Sequence, residues 1–209
     1  MEIIYDIEQG SDEWLRLRLG KLTASRFADV ISKGRGSAPS KTRESYMYQL
    51  AAEILTDAPQ DSFSNKAMEW GNECEPRARA AYEIASGNNV EECAFITHSE
   101  WIGVSPDGLV GDDGLLEIKC PNTVTQIKRV LANKPPAEYM AQIQGQMWVS
   151  GRKWCDFVSF DPRINTDADY FCIRVERDEK YIEALEIKCR AFVYELRQLV
   201  EGLGFQLTD

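Results

Sequence analysis

Between Ser105 and Cys120 the chain reads SPDGLVGDDGLLEIKC, and this is the stretch best suited to chemistry. Nine residues separate Asp107 from Glu117, and Lys119 follows two further on. Apolar runs on either side of Gly-Asp-Asp-Gly spell a β-hairpin with its turn in the middle and its charges at the far end. Side chains alternate along a strand, so Glu117 and Lys119 share one face and Ile118 takes the other. Two acids and a lysine converging there can hold a divalent metal beside a phosphodiester.

Whether they converge depends on the hairpin register. A two-residue loop at Asp112-Asp113 pairs Gly111 with Gly114 and sets Asp107 opposite Ile118, which puts the acids on different faces. A three-residue loop with a glycine at positive φ shifts the pairing by one and sets Asp107 opposite Glu117. Gly111 and Gly114 make the second arrangement accessible, and a three-residue loop or bulge is expected. An E-x-K pair on an exposed strand is more often a surface ion pair. Here it follows two leucines on a strand expected to be buried, where charges are costly unless paired or metal-bound.

The elements that must position this hairpin are α/β in pattern, with a small mixed sheet covered by helices on both sides. Helices are predicted over 11–19, with Ser11 as N-cap and Gly20 as stop, and from about Thr23 or Ala24 to Ser32. Residues 40–55 form another, with Tyr46, Leu50 and Ile54 inward. Residues 65–85 are helical, with Pro76 kinking the helix or opening its second half. An amphipathic helix covers 123–132. A further helix runs from Ala137 to Ser150, with Gln142 and Gln146 one turn apart. The last, 178–203, has Tyr181, Leu185, Ile187, Phe192, Leu196 and Leu199 as its apolar positions. Strands are predicted at 90–96, 101–104, 154–160 and 169–176, beside the hairpin. Trp14, Trp70 and Trp148 are assigned to the core rather than to base stacking.

The 209 residues suit one domain, 1–209. The first ten residues carry neither a basic nor an apolar signal region, and no apolar run is long enough to span a bilayer. Six scattered cysteines without C-x-x-C read as reduced thiols of a cytoplasmic protein. With 24 Lys and Arg against 34 Asp and Glu, the net charge of −10 opposes nucleic-acid binding. Either the protein never touches DNA, or its cations are gathered on one inner surface and metal ions neutralise the acids. Lys33, Arg35, Lys41 and Arg43, in a Gly/Pro/Ser-rich loop without an acid, are such a gathering; the same segment also reads as a solvated linker.

Here a resemblance enters. P-D-x9-E-x-K resembles the PD-(D/E)-x-K nucleases, with their restriction-endonuclease-like core. The wider chain resembles the lambda exonuclease family of YqaJ-like viral recombinases. WLRLRLGKLTAS (14–25), EWGNECEPRA (69–78), SPDGL (105–109), LEIKCP (116–121) and YMAQIQGQMWV (139–149) stand in the family's order over roughly residues 10–162. The resemblance implies a Mg²⁺-dependent 5′→3′ exonuclease on linear double-stranded DNA, with Mn²⁺ a possible substitute and two ions per site. Asp107, Glu117, the carbonyl of Ile118 and Glu75 would hold metal. Lys119 would polarise the attacking water, and Gln142 would lie near the reacting phosphate. Arg18, Ser25 and Ser105 would grip the 5′-phosphate, with backbone amides of a helix start near Ser25, and Arg35 would approach the DNA. His98, the sole histidine, is not expected to be essential. A ring-shaped homotrimer, a single-strand annealing protein as partner and a role in recombination are implied likewise. The rival readings are an endonuclease or junction resolvase with the same core, or a DNA-binding module that has lost its chemistry.

Overall fold

The computed structural model describes residues 1–34, 39–60 and 66–207, with Ala67 and Met68 described in backbone only. In chain order the first half comprises β1 (Glu2–Ile4), α1 (Asp12–Arg18), β2 (Leu22–Thr23), a 3-10 turn (Ala24–Arg26), α2 (Phe27–Ile31), α3 (Lys41–Thr56), α4 (Lys66–Ser86), β3 (Val90–Glu91), β4 (Phe95–Ser99) and β5 (Ile102–Val104). The second half comprises β6 (Gly108–Val110), β7 (Gly114–Lys119), α5 (Thr123–Ala132), a 3-10 turn (Ala137–Tyr139), α6 (Met140–Ser150), β8 (Trp154–Phe160), a 3-10 turn (Asp167–Asp169), β9 (Tyr170–Glu176) and α7 (Glu179–Gly202).

The hairpin of β6 and β7 lies in a five-stranded mixed sheet ordered β3-β6-β7-β8-β9. Val110 pairs with Gly114 and Gly108 with Leu116, leaving the three-residue loop Gly111-Asp112-Asp113. Extending this register by one residue sets Asp107 across from Glu117, as required. Gly111 adopts φ +52°, a left-handed conformation that a Cβ opposes. Gly111→Ala is therefore expected to lower unfolding stability by about 1–2 kcal/mol, as read by urea titration. An unchanged midpoint would show that another turn serves equally well.

The two faces of β7 bury different things. Leu116 and Ile118 pack with Ala78 and Tyr82 of α4 and with Val158 and Phe160 of β8. Leu115 belongs to the larger core on the other face, which gathers Phe27, Ile143, Met147, Leu185 and Phe192. Glu117 shares that face and meets α6. Almost every residue of α6 is buried, so its glutamines must find polar partners inside the protein.

Several expectations are corrected. Among the described residues not one sheet but two form: a four-stranded sheet, β1-β4-β5-β2, accompanies the first. The strand expected over 90–96 splits, because β3 pairs with β6 in one sheet and β4 with β1 and β5 in the other. Strands as short as β1 and β2 carry no readable alternation. α4 runs unbroken through Pro76, so its second half is not a separate helix. The helix expected from about residue 24 begins as a 3-10 turn, and α2 itself is five residues long. Ile187 is exposed; Ile182, Cys189 and Val200 join the buried stripe of α7 instead.

The amphipathic helix α5 is turned inside out. Val124, Ile127 and Leu131 face outward while Gln126 and Arg129 are buried. The end of β8 supplies the reason. The Gln126 amide donates to the carbonyls of Ser159, Ala168 and Asp169, each at 3.1 Å, and accepts from the Ser159 hydroxyl at 2.6 Å. Satisfying those buried groups outweighs hiding three aliphatic side chains.

Candidate active site

Glu117 is completely buried, yet both its oxygens are occupied. Gln142 donates to Oε1 at 2.6 Å, Gln146 donates to Oε2 at 2.7 Å, and the Lys119 ammonium also binds Oε1. The i, i+4 spacing of the glutamines aims both amides from α6 at one carboxylate. Gln142 was expected at the site. Gln146 was not, although its place one turn beyond Gln142 was the available signal. Gln146→Ala leaves Glu117 Oε2 without its donor, and an effect of about 10–100-fold on metal affinity or activity is expected. A Mg²⁺ titration of turnover checks this, and a wild-type curve would count against it.

Asp107 lies at the open end of β6. Its Oδ2 accepts from the Ile118 amide at 2.6 Å, so the side chain takes over the ladder bond where the strand stops. Burial and then the neighbouring Glu117 push its carboxyl well above the usual range. Glu75 is raised as well, first by burial, while Arg79 and Lys119 oppose the shift. Arg79 pairs with Glu75 at 2.7 Å and donates to the Asp107 carbonyl at 3.3 Å, tying α4 to the site. Burial works to lower the Lys119 pKa, but Glu117 and Asp107 outweigh it and the ammonium stays above its normal value. The ion pair with Glu117 thereby favours Lys119 in its ammonium form.

Among the described residues no three His, Cys, Asp or Glu side chains form a ready-made ion cage. The donor chemistry nevertheless suits a hard divalent cation. Asp107 and Glu117 are close enough to interact in a buried place, and one such ion would offset the burial and the repulsion that together raise Asp107. The Ile118 carbonyl and water can complete the oxygen set, with Glu75 beyond, at present engaged by Arg79.

A second polar cluster adjoins the first through Ser105, two residues before Asp107. The Arg18 guanidinium stacks over Trp14 at 4.1 Å and donates to the Ser105 hydroxyl at 3.3 Å and the Thr23 hydroxyl at 3.4 Å. The Ser25 hydroxyl is 3.5 Å from that of Thr23. A cavity of about 300 Å³ is lined by Arg18, Thr23, Ser25, Arg26, Tyr46 and Glu53. Burial holds the Arg18 pKa below its usual value, with Tyr46 and Glu53 only partly compensating. A half-buried guanidinium facing hydroxyls can take up an anion. Thr23 is the member that sequence reading missed. Ser25 lies within the 3-10 turn that leads into α2, so the helix start near it is a 3-10 turn without a side-chain cap bond.

The remaining assignments divide. Trp148 is core, packed on His98 at 4.9 Å, and the charged neighbours of His98 are Arg190 and Glu186 on α7 and the amino group of Met1. Trp14 is half-buried and donates to Ala94 and Ser105, a platform for Arg18 rather than a core residue alone. Trp70 is likewise half-buried, under the Arg163 guanidinium at 4.2 Å. Arg43 is committed elsewhere, paired with Glu195 at 2.9 Å, so the basic segment offers fewer free cations than its composition suggests. Arg35 lies outside the described residues. All six cysteines are free, four of them buried.

The fold is that of a nuclease of the exonuclease class. The chain belongs to the YqaJ-like viral recombinase domain family, whose model matches residues 13–153. An alkaline exonuclease (LHK-Exo) from Laribacter hongkongensis superposes with a TM-score of 0.86 at 46% identity, covering 93% of this chain and 96% of that one. The same enzyme in complex with dAMP gives 0.86 at 47%, covering 92% and 96%. A phage related exonuclease from Haemophilus somnus 129PT shares the fold, with a TM-score of 0.67 at 19% identity over 88% of this chain and 96% of that one. Among the described residues no helix is long and apolar enough to cross a membrane.

Proposed function

We propose that residues 1–209 form one metal-dependent 5′→3′ exonuclease domain that degrades one strand of linear double-stranded DNA and leaves 3′ single strands for annealing. The observation that carries this reading is the continuity of the two clusters: Ser105 contacts Arg18, and Asp107 follows two residues later. A terminal phosphate held by Arg18, Ser25 and Ser105 would place the first phosphodiester beside Asp107, Glu117 and Lys119. That spacing favours an enzyme that starts at ends over one that cuts internally. The dAMP held by LHK-Exo is consistent with a mononucleotide product.

Asp107, Glu117, the Ile118 carbonyl and Glu75 are the residues that would hold Mg²⁺, or Mn²⁺ in its place. When bound, two such ions lower the pKa of a water and neutralise charge on the phosphoryl oxygens. The chain's own contribution is positional. Gln142 and Gln146 hold Glu117 in one orientation, the Ile118 amide holds Asp107, and the protonated Lys119 sets positive charge where the transition state gains negative charge. A ring-shaped homotrimer with its cations lining a channel would reconcile the net charge of −10 with DNA binding. A cytoplasmic single-strand annealing protein is the partner such a product implies.

The test uses linear and covalently closed circular duplex of the same sequence, with Mg²⁺ and with a chelator. Linear DNA should be degraded from its 5′ ends to mononucleotides, circles should survive, and the chelator should abolish turnover. Cleaved circles would favour an endonuclease, and binding without turnover in Mg²⁺ or Mn²⁺ a non-catalytic module.

A further inference from the structure

Arg129 is a buried cation for which the mechanism above has no use. It sits on the inward face of α5, 7% exposed, and donates to the Ser159 hydroxyl at 3.0 Å and the Tyr139 hydroxyl at 3.2 Å. Its guanidinium lies 5.2 Å from the Tyr139 ring and 5.6 Å from the Phe157 ring, and those two rings stack at 5.6 Å. The Lys119 ammonium lies 5.3 Å from the same Tyr139 ring, and Lys119 is the register partner of Ser159. Arg129 therefore touches the two side chains that flank Lys119.

We propose that Arg129 is a positioning residue for Lys119, acting by locking the Tyr139 ring against Phe157 so that the ammonium can point only toward the reacting centre. The proposal rests on the nuclease reading. An ammonium has three N–H donors. One is spent on Glu117 and the Tyr139 ring closes off another direction, which leaves the remaining direction for water or phosphate. Tyr139 ends the 3-10 turn, with Phe157 stacked at its ring face and Arg129 donating to its hydroxyl, and these two contacts orient the ring. Stability alone would not select this residue. A buried guanidinium is costly; Glu138, largely exposed, reaches it only at 3.9 Å, and its Nε atom is buried without a partner among the described residues. The same helix carries three aliphatic side chains outward that an apolar inner face would have used.

The experiment is steady-state kinetics on 5′-phosphorylated linear duplex with Mg²⁺ for wild type, Arg129→Met, Arg129→Lys, Tyr139→Phe and the Arg129→Met/Tyr139→Phe double variant, each checked by circular dichroism and melting temperature. Arg129→Met should lose about tenfold or more in kcat with KM nearly unchanged, and Arg129→Lys should recover most of the loss. Tyr139→Phe should resemble Arg129→Met, and the double variant should be no slower than the worse single, since one coupling is removed either way. A folded Arg129→Met with wild-type kcat, or losses that multiply, would overturn the proposal. Should Arg129→Met not fold, Tyr139→Phe decides, because it deletes only a hydroxyl; a wild-type kcat there overturns the proposal too. If wild type itself turns over no DNA, the nuclease reading fails and this inference falls with it.

Discussion

Lys119→Ala is expected to cut turnover of linear duplex by about 10²–10³-fold or more, while duplex affinity stays close to that of wild type. The reason lies in what the substitution leaves intact. Glu117 keeps both glutamine donors, and Asp107 keeps the Ile118 amide, so the acidic pair stays in place. What disappears is a cation held protonated by Glu117 and Asp107. Uniform binding barely uses that charge, whereas a transition state with negative charge growing on phosphoryl oxygens does. Lys119→Arg is not expected to restore the rate, because a planar fork does not reproduce a compact ammonium seated between Glu117 and the Tyr139 ring. Single-turnover rates and duplex titrations in Ca²⁺ or chelator separate the two quantities. Lys119→Ala turning over within a few-fold of wild type would remove lysine from the mechanism.

Arg18→Ala should erase the preference for a 5′-phosphorylated end over a 5′-hydroxyl end. Charge-assisted hydrogen bonds contribute about 1.5–3 kcal/mol, so the preference and its loss should be about 10- to 100-fold in kcat/KM. Arg18 stands on Trp14 and donates to the Ser105 and Thr23 hydroxyls, and Tyr46 and Glu53 compensate its charge only in part. On 5′-hydroxyl duplex, wild type and Arg18→Ala should differ little, and that comparison isolates the phosphate from general DNA affinity. A variant that keeps its preference for phosphorylated ends would move the anion site elsewhere. Gly20 adds a supporting detail. It follows α1 at φ +66° and its amide donates to the buried Glu53 at 3.0 Å, fixing the turn just beyond Arg18.

By itself the sequence determined the hairpin and its register. The turn residues between two apolar runs, the glycine tolerant of positive φ and the alternation of Glu117, Ile118 and Lys119 are local properties, and local geometry follows from them. The helical periodicities of α3, α6 and α7 were legible for the same reason. Only tertiary structure decided how residues far apart in the chain share their hydrogen bonds. Nothing in the pattern of α5 says that its polar side goes inward; that depends on the carbonyls at the end of β8 and in the turn before β9 that accept from the Gln126 amide. The split of residues 90–96 between two sheets, the pairing of Gln146 with Glu117 and the placing of Arg129 against Tyr139 are likewise settled by which buried polar group lies within reach. Periodicity reports how one element divides water from core, while the partner of each buried donor is chosen by elements that the local pattern does not contain.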